Sequence, residues 1–207
     1  MMRVCLATML LLLAVLAKPS YAEEAGTLRD LSRFVILAPV VRASFTQTRK
    51  IEVLSRPLHS RGHFLFSSDR GLAWLLDEPF KTNLVLTHDT VIEWEEEKPR
   101  ARHALASRPS LASLKAILFP LLSGDFDELE NSFASVIKTD QANWILTLAP
   151  RNDEVRKIVS SIEIKGGEAV ETINVHEIGG DVTQLEFTNY HTSLEDLTAE
   201  ELLYFDD

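Results

Sequence analysis

The chain has 207 residues, 45% of them apolar and 25% charged, with a formal net charge of −10 and one cysteine. That is enough apolar sequence for one domain with a sizeable core, and too little cysteine for a disulfide framework. The acidic balance argues against nucleic acid and against anionic lipid heads, both of which favour basic surfaces, and leaves room for a basic protein partner.

The first predicted element is a leader. Arg3 gives a positive start, Met9 to Ala17 (MLLLLAVLA) an apolar core, and Ser20 and Ala22 the small residues before a cleavage point. This is the pattern of a secretory signal peptide over residues 1–22, shorter than the about 20 apolar residues of a membrane span. Its removal takes away Cys5 and, with Arg3 and Lys18, shifts the net charge from −10 to −12. Residues 23–207 are expected to form a single domain outside the cytoplasm, held by its core.

Leu28, Leu31, Phe34 or Val35, and Ala38 recur at helical spacing, which predicts a helix over Ala25–Ala38 capped by Thr27 and ended by Pro39. From Val41 the period becomes two, with Val41, Ala43 and Phe45 alternating against Arg42, Ser44 and Thr46. Further strands are predicted at Ile51–Leu54, His63–Ser67, Ala73–Leu76, Asn83–Thr87 and Val91–Trp94. After them comes a helix over Pro109–Leu122, with Ser110 as a candidate cap, Pro120 kinking or ending it and Gly124 stopping it. Asp125 to Glu130 is expected to add a turn of helix. The closing strands are Ala134–Thr139, Asn143–Ala149, Lys157–Lys165, Ala169–Ile178 and Val182–Tyr190. Gly166-Gly167 and Gly179-Gly180 mark two of their hairpins. Meander order makes this one antiparallel sheet, strongly curved or closed, whose concave face the apolar helices cover.

The stretch GHFLFSSDRGLAWLLDEP (Gly62–Pro79) holds two apolar runs around a turn. A strand with one wet face alternates apolar and polar residues, so these runs predict cover on both faces: the hollow on one, a loop or an edge on the other.

Sites for chemistry are scarce. His59 and His63 have the spacing of a helical metal pair but lie in a strand pattern, beside Arg61-Gly62 and without a neighbouring glutamate. Glu93 and Glu95 are a conceivable carboxylate pair, but no apolar pocket in the sequence raises either pKa, and the run Glu95–Glu97 reads as a solvated hairpin tip. No nucleophile elbow, phosphate loop or CxxC occurs. The expectation is a non-enzyme without metal or cofactor. Phe45, Phe64, Phe66, Trp74, Trp144 and Phe187 are individually ordinary core residues. Collectively they are what a curled sheet around an apolar ligand uses.

ASFTQTRK (Ala43–Lys50), the strand opened by Gly62, AWLLDEP (Ala73–Pro79) and LVLTHDTVIEW (Leu84–Trp94) together resemble the periplasmic outer-membrane lipoprotein carrier family, the LolA-like proteins. Phe45, Gln47, Gly62, Trp74, Pro79, Asp89 and Trp94 fall in that family's order, and LEFTNYHTSLEDLTAEELLYF resembles its closing strands. The resemblance implies an incomplete antiparallel barrel, α+β in class, with a helical lid over an apolar hollow. The hollow would be lined by Phe45, Phe64, Phe66, Trp74, Leu76, Leu84, Leu86, Trp144, Leu146 and Phe187, with Leu114, Leu118 and Phe119 on the lid. It further implies a periplasmic monomer that takes acylated lipoproteins from an inner-membrane transporter and passes them to an outer-membrane receptor, with Glu95–Glu97 expected to meet a basic receptor. The sequence departs from the family where an Arg-Pro, whose arginine ties down the lid, is replaced by Ser68-Asp69. Leu72 stands where an aromatic is usual, and Asp89-Thr90 where Asp-Gly is. The alternatives are a paralogue carrying a glycolipid or another acylated molecule, and a non-transport binding protein whose concave face is packed core.

Overall fold

A computed structural model describes residues 25–95, 98–140 and 142–205. The leader, its cleavage point, Glu96, Glu97 and the side chain of Glu95 lie outside that description, and with them the acidic run expected to meet a receptor.

The chain begins with a two-residue strand, β1 (Ala25–Gly26), and a 3-10 helix over Leu28–Arg33, not the longer helix expected. Pairing of Ala25 and Gly26 with Lys138 and Ile137 removes the first turn. Leu28 and Leu31, three residues apart, eclipse one another on a 3-10 spiral, and both are buried. Thr27 does cap the helix: its N–H and hydroxyl both donate to the Asp30 carboxylate, which they hold below its ordinary range.

Six strands follow: β2 (Val40–Lys50), β3 (Leu58–Ser67), β4 (Gly71–Glu78), β5 (Thr82–Leu86), β6 (Thr90–Glu95) and β7 (Lys98–Ala104). Ile51–Leu54 is the turn between β2 and β3, closed by the Leu54 N–H donating to the Ile51 carbonyl at 2.9 Å. Strand pairing on that side stops at Lys50 with Val182, so these four residues have no partner strand. β7 escapes sequence reading because its residues, KPRARHA, carry the charges and proline of an edge strand.

Helix α1 (Pro109–Ser123) and helix α2 (Phe126–Ser132) come next. Pro109 occupies the first helical position with Arg108 at the cap, so Ser110 is not the cap, and α1 runs on through Pro120 to Gly124, whose φ is 78°. The left-handed turn is what favours glycine here, since a Cβ would meet only a Leu37 methyl carbon that can move aside. The chain then runs through β8 (Phe133–Asp140), β9 (Asn143–Pro150), the short α3 (Asp153–Arg156), β10 (Val159–Gly166), β11 (Val170–Glu177), β12 (Val182–Ser193) and α4 (Ala199–Leu202).

The twelve strands among the described residues make one antiparallel sheet that is not closed, in the order β1-β8-β9-β10-β11-β12-β2-β3-β4-β5-β6-β7. It is two meanders joined at their middle by β12 and β2, paired from Val182 with Lys50 to Ser193 with Val40. Apolar side chains fill both faces of the β2–β6 half. Phe64, Phe66, Leu72 and Trp74 belong to the large core on the concave face. Leu65, Ala73, Leu75, Val85 and Ile92 belong to a second core on the convex face. The convex core is covered by the C-terminal segment through Leu197, Tyr204 and Phe205. That segment is fixed by Arg42 on β2, whose guanidinium donates twice to the Glu201 carboxylate, at 2.6 and 2.7 Å. The unbroken runs FLF and AWLL are therefore strands buried on both sides.

Candidate functional site

The concave face is built from alternate residues of each strand. Phe187, Phe45, Phe64 and Trp74 lie side by side on β12, β2, β3 and β4. Phe45 stacks on Trp74 with centroids 3.9 Å apart, and the Phe64 ring meets Phe187 edge-on at 5.5 Å. Gly62 permits this crowding. It pairs with Phe45 across the β2–β3 ladder, and a Cβ on it would fall 2.0 Å from the Leu75 carbonyl oxygen of β4. The glycine in the middle of β3, not at its start as the sequence suggested, is thus a condition for the neighbouring strand to approach.

All ten residues expected in the hollow belong to this one cluster. Phe45, Phe64, Phe66, Trp74, Leu86, Trp144, Leu146 and Phe187 are buried, while Leu76 and Leu84 are partly buried against it. Trp144 is further fixed by its indole N–H, which donates to the Gly167 carbonyl at 2.8 Å. The three expected lid residues pack here too: Leu118 is buried, Leu114 and Phe119 half-buried, and Phe119 meets Phe66 edge-on at 5.5 Å. Side chains of α1 thus pack directly on the concave cluster. Two surface cavities, of about 350 and 190 Å³, lie elsewhere: at the β2–β3 turn, and beside Tyr204 on the convex side.

Seating of α1 is graded. Ile117, Leu118, Leu121 and Leu122 are buried, whereas Leu111, Leu114 and Ala116 nearer its start are half-buried. Polar ties hold the looser half. Arg108, at the cap, donates to Glu93 of β6 at 2.6 Å, and Lys115 donates to the His88 carbonyl at 2.6 Å. Lys115 also stands 5.0 Å from the centre of the Phe119 ring. Ser68 and Asp69 form the β3–β4 turn, where the Ser68 hydroxyl donates to Asp69 at 3.2 Å. Sequence reading missed these ties of α1. Their cations lie on α1 and at its cap, and their acceptors on β6 and in the β5–β6 turn, whereas the family pattern directs attention to an arginine on the sheet. The Glu93 carboxylate, weighed in the sequence as half of a carboxylate pair, accepts from Arg108 at 2.6 Å, with His103 Nε2 at 3.8 Å.

Tyr190 was missed as well. It packs against the concave core, and its hydroxyl is buried without a hydrogen-bond partner among the described residues. Burial pushes its pKa up to about 12. Such an unpaired buried hydroxyl costs about 1–3 kcal/mol. His63 rests 3.1 Å from Asp77, and the His59 ring nitrogen is 3.2 Å from the Thr48 hydroxyl. No group of three or more ligating side chains is placed to hold a metal among the described residues.

The family described as outer membrane lipoprotein carrier protein LolA-like matches residues 20–193. The chain belongs to this LolA-like family. Its fold, an open, curved antiparallel sheet with few helices, is of the carrier type. Among solved structures it is similar to a LolA superfamily protein from Nitrosomonas europaea, at 9% identity and TM-score 0.46, covering 87% of this chain and 96% of that one. It is also similar to a putative outer membrane lipoprotein-sorting protein domain from Vibrio parahaemolyticus, at 9% identity and TM-score 0.41 over 80% and 91% of the two chains. No curated protein matches the chain. No helix among the described residues is long and apolar enough to cross a membrane.

Proposed function

We propose that this protein is a periplasmic carrier that shields the acyl chains of lipoproteins beneath α1 and moves them from the inner to the outer membrane. One observation carries the reading: an aromatic concave floor lies under a helix whose first half is only half-seated and tied by two polar contacts. Each buried methylene is worth ~0.8 kcal/mol, so an acyl chain of about a dozen gains on the order of 10 kcal/mol in such a hollow. That exceeds what partly exposed ties of the Arg108–Glu93 kind supply, ~0–1 kcal/mol each. Acyl chains are therefore able to displace the half-seated residues of the lid, while the buried end of α1 stays as a hinge. The hollow offers apolar contact without directional hydrogen bonds, which suits varied chains. The role involves no bond-making step and no cofactor. Donor and acceptor are an inner-membrane lipoprotein-releasing transporter and an outer-membrane receptor, and the carrier works as a monomer.

Native mass spectrometry of the mature protein, taken gently from its own periplasm, tests this. An acylated polypeptide bound one to one is the expected result. A small lipid without peptide would move the assignment to a glycolipid or other acylated cargo, which the Ser68-Asp69 departure favours. An empty protein that also refuses a fluorescent apolar probe would overturn carriage altogether.

A further inference from the structure

Of the eleven large apolar side chains exposed among the described residues, six gather at one end of the sheet. Val53 and Leu54 are on the β2–β3 turn, Leu58 starts β3, Phe80 is on the β4–β5 turn, and Ile158 and Ile178 precede β10 and β12. Strand register puts them together: Arg49 faces Leu58, Arg61 faces Glu78, Lys50 faces Val182 and Val159 faces Glu177. Direct bonds join the turns. The Glu52 N–H donates to the Asp181 carboxylate at 2.9 Å, and the Ile178 N–H to the Ile158 carbonyl at 2.8 Å. Val53 at 87% and Phe80 at 78% exposure are as open as surface lysines, and no packing requirement explains them.

The charges at this end are not those of the whole chain. Arg49 lies 3.6 Å from both Glu177 and Asp181, Arg61 is paired with Glu78, and Lys157 with Glu154. Lys50, Arg56 and Lys81 have no carboxylate within ion-pair distance among the described residues. Lys50 and Arg56 share the cavity of about 350 Å³ with Leu54, Pro57, Val182 and Glu52, the one free carboxylate there. Lys81 follows Phe80 directly. The cation-free acidic runs of the sequence, Glu93–Glu97, Asp125–Glu130 and Glu195–Glu201, contribute none of these six apolar tips.

We infer that this end of the sheet docks on the surface of a bilayer containing anionic phospholipid. Single apolar side chains projecting from separate polar turns, with unpaired cations beside them, fit the boundary of headgroups and acyl chains. A protein partner would call for a contiguous apolar patch that packs as one surface, and these tips stand on separate turns. Val53, Leu54 and Phe80 enter the interface, while Lys50, Arg56 and Lys81 meet lipid phosphates. The net charge of −12 on residues 23–207 argues the other way only as an average over the chain. The inference goes beyond acyl-chain carriage and does not depend on it.

Flotation of the mature full chain with phosphatidylcholine vesicles, with and without phosphatidylglycerol, tests the surface. Binding to the anionic vesicles, weakened by added salt and nearly absent on pure phosphatidylcholine, is the expected result. The V53S/F80S and K50E/R56E variants should each bind at least about tenfold more weakly. Circular dichroism should be unchanged in both, since the altered side chains are exposed. Both should also still take up an apolar probe, which separates loss of docking from loss of the hollow. Equal binding by wild type and variants would overturn the inference. So would failure of the wild type to float with anionic vesicles at low salt, including the case in which this surface captures a protein.

Discussion

Strands β3 and β4 carry two apolar faces, and the two are closed differently. On the convex side Leu65, Ala73 and Leu75 seat a short C-terminal segment fixed by a doubly bonded Arg42–Glu201 pair, with Glu201 also accepting from the Thr198 N–H at 2.8 Å. On the concave side Phe64, Phe66 and Trp74 face a fifteen-residue helix, buried at one end and half-seated at the other. The convex cover has a small seat and strong polar fixing. The concave cover has a large seat, weak polar fixing and an unpaired Tyr190 hydroxyl inside it. On the proposed reading, one is permanent core and the other is exchanged for something equally apolar.

Substitutions on the two faces of β4 should separate these roles. Trp74→Ala is expected to cost about 3–5 kcal/mol in urea unfolding and to abolish stoichiometric binding of an apolar probe. Leu75→Ala, one residue along, should cost about 2–4 kcal/mol and leave probe affinity per folded molecule unchanged. Equal loss of probe binding in both would erase the distinction. Arg42→Ala should release the C-terminal segment, seen as faster proteolysis after β12, at a cost of about 1–2 kcal/mol. Tyr190→Phe removes a buried unpaired hydroxyl and should raise stability by up to about 1 kcal/mol while slowing probe uptake, because the closed state gains. Arg108→Ala should change stability by less than about 1 kcal/mol yet speed probe uptake, read by stopped flow.

Acid sharpens the same contrast. The hydrogen bonds from Arg42, helped by those from Thr198, hold the Glu201 carboxyl down at about 2, from an ordinary 4.5. A carboxyl depressed on folding contributes stability that is present above its unfolded value and lost as pH falls through the folded one. Docking of the C-terminal segment should therefore weaken progressively between about pH 4.5 and 2. Proteolysis by an acid-active protease checks this, and Glu201→Gln should flatten the dependence.

Local rules made much of the fold legible. The Gly-Gly hairpins, the period-two run from Val41 and the Ser68–Gly71 turn are short-range signals, and the structure keeps them. The pairing of β12 with β2 is not such a signal, because no local pattern announces a partner about 140 residues away. Ile51–Leu54 reads as a strand because apolar exposed residues and apolar buried ones look alike in sequence; what distinguishes them is the missing neighbour. At the site, the hollow's residue types were legible as an aromatic set, and the helix over Pro109–Leu122 as its cover. The face each strand turns inward needed the register. Arg108 was hidden because its acceptor, Glu93, lies in a strand that reads equally well as a solvated acidic edge.

The central claim is that the face under α1, and not the face under the C-terminal segment, receives acyl chains. The most direct measurement is crosslinking from a photoreactive phenylalanine placed at Phe119 in one variant and at Tyr204 in another, both expressed in the periplasm. The account predicts an adduct with an acylated lipoprotein from position 119 and none from position 204. Adducts from position 204 alone, or equal yields from both, would contradict it.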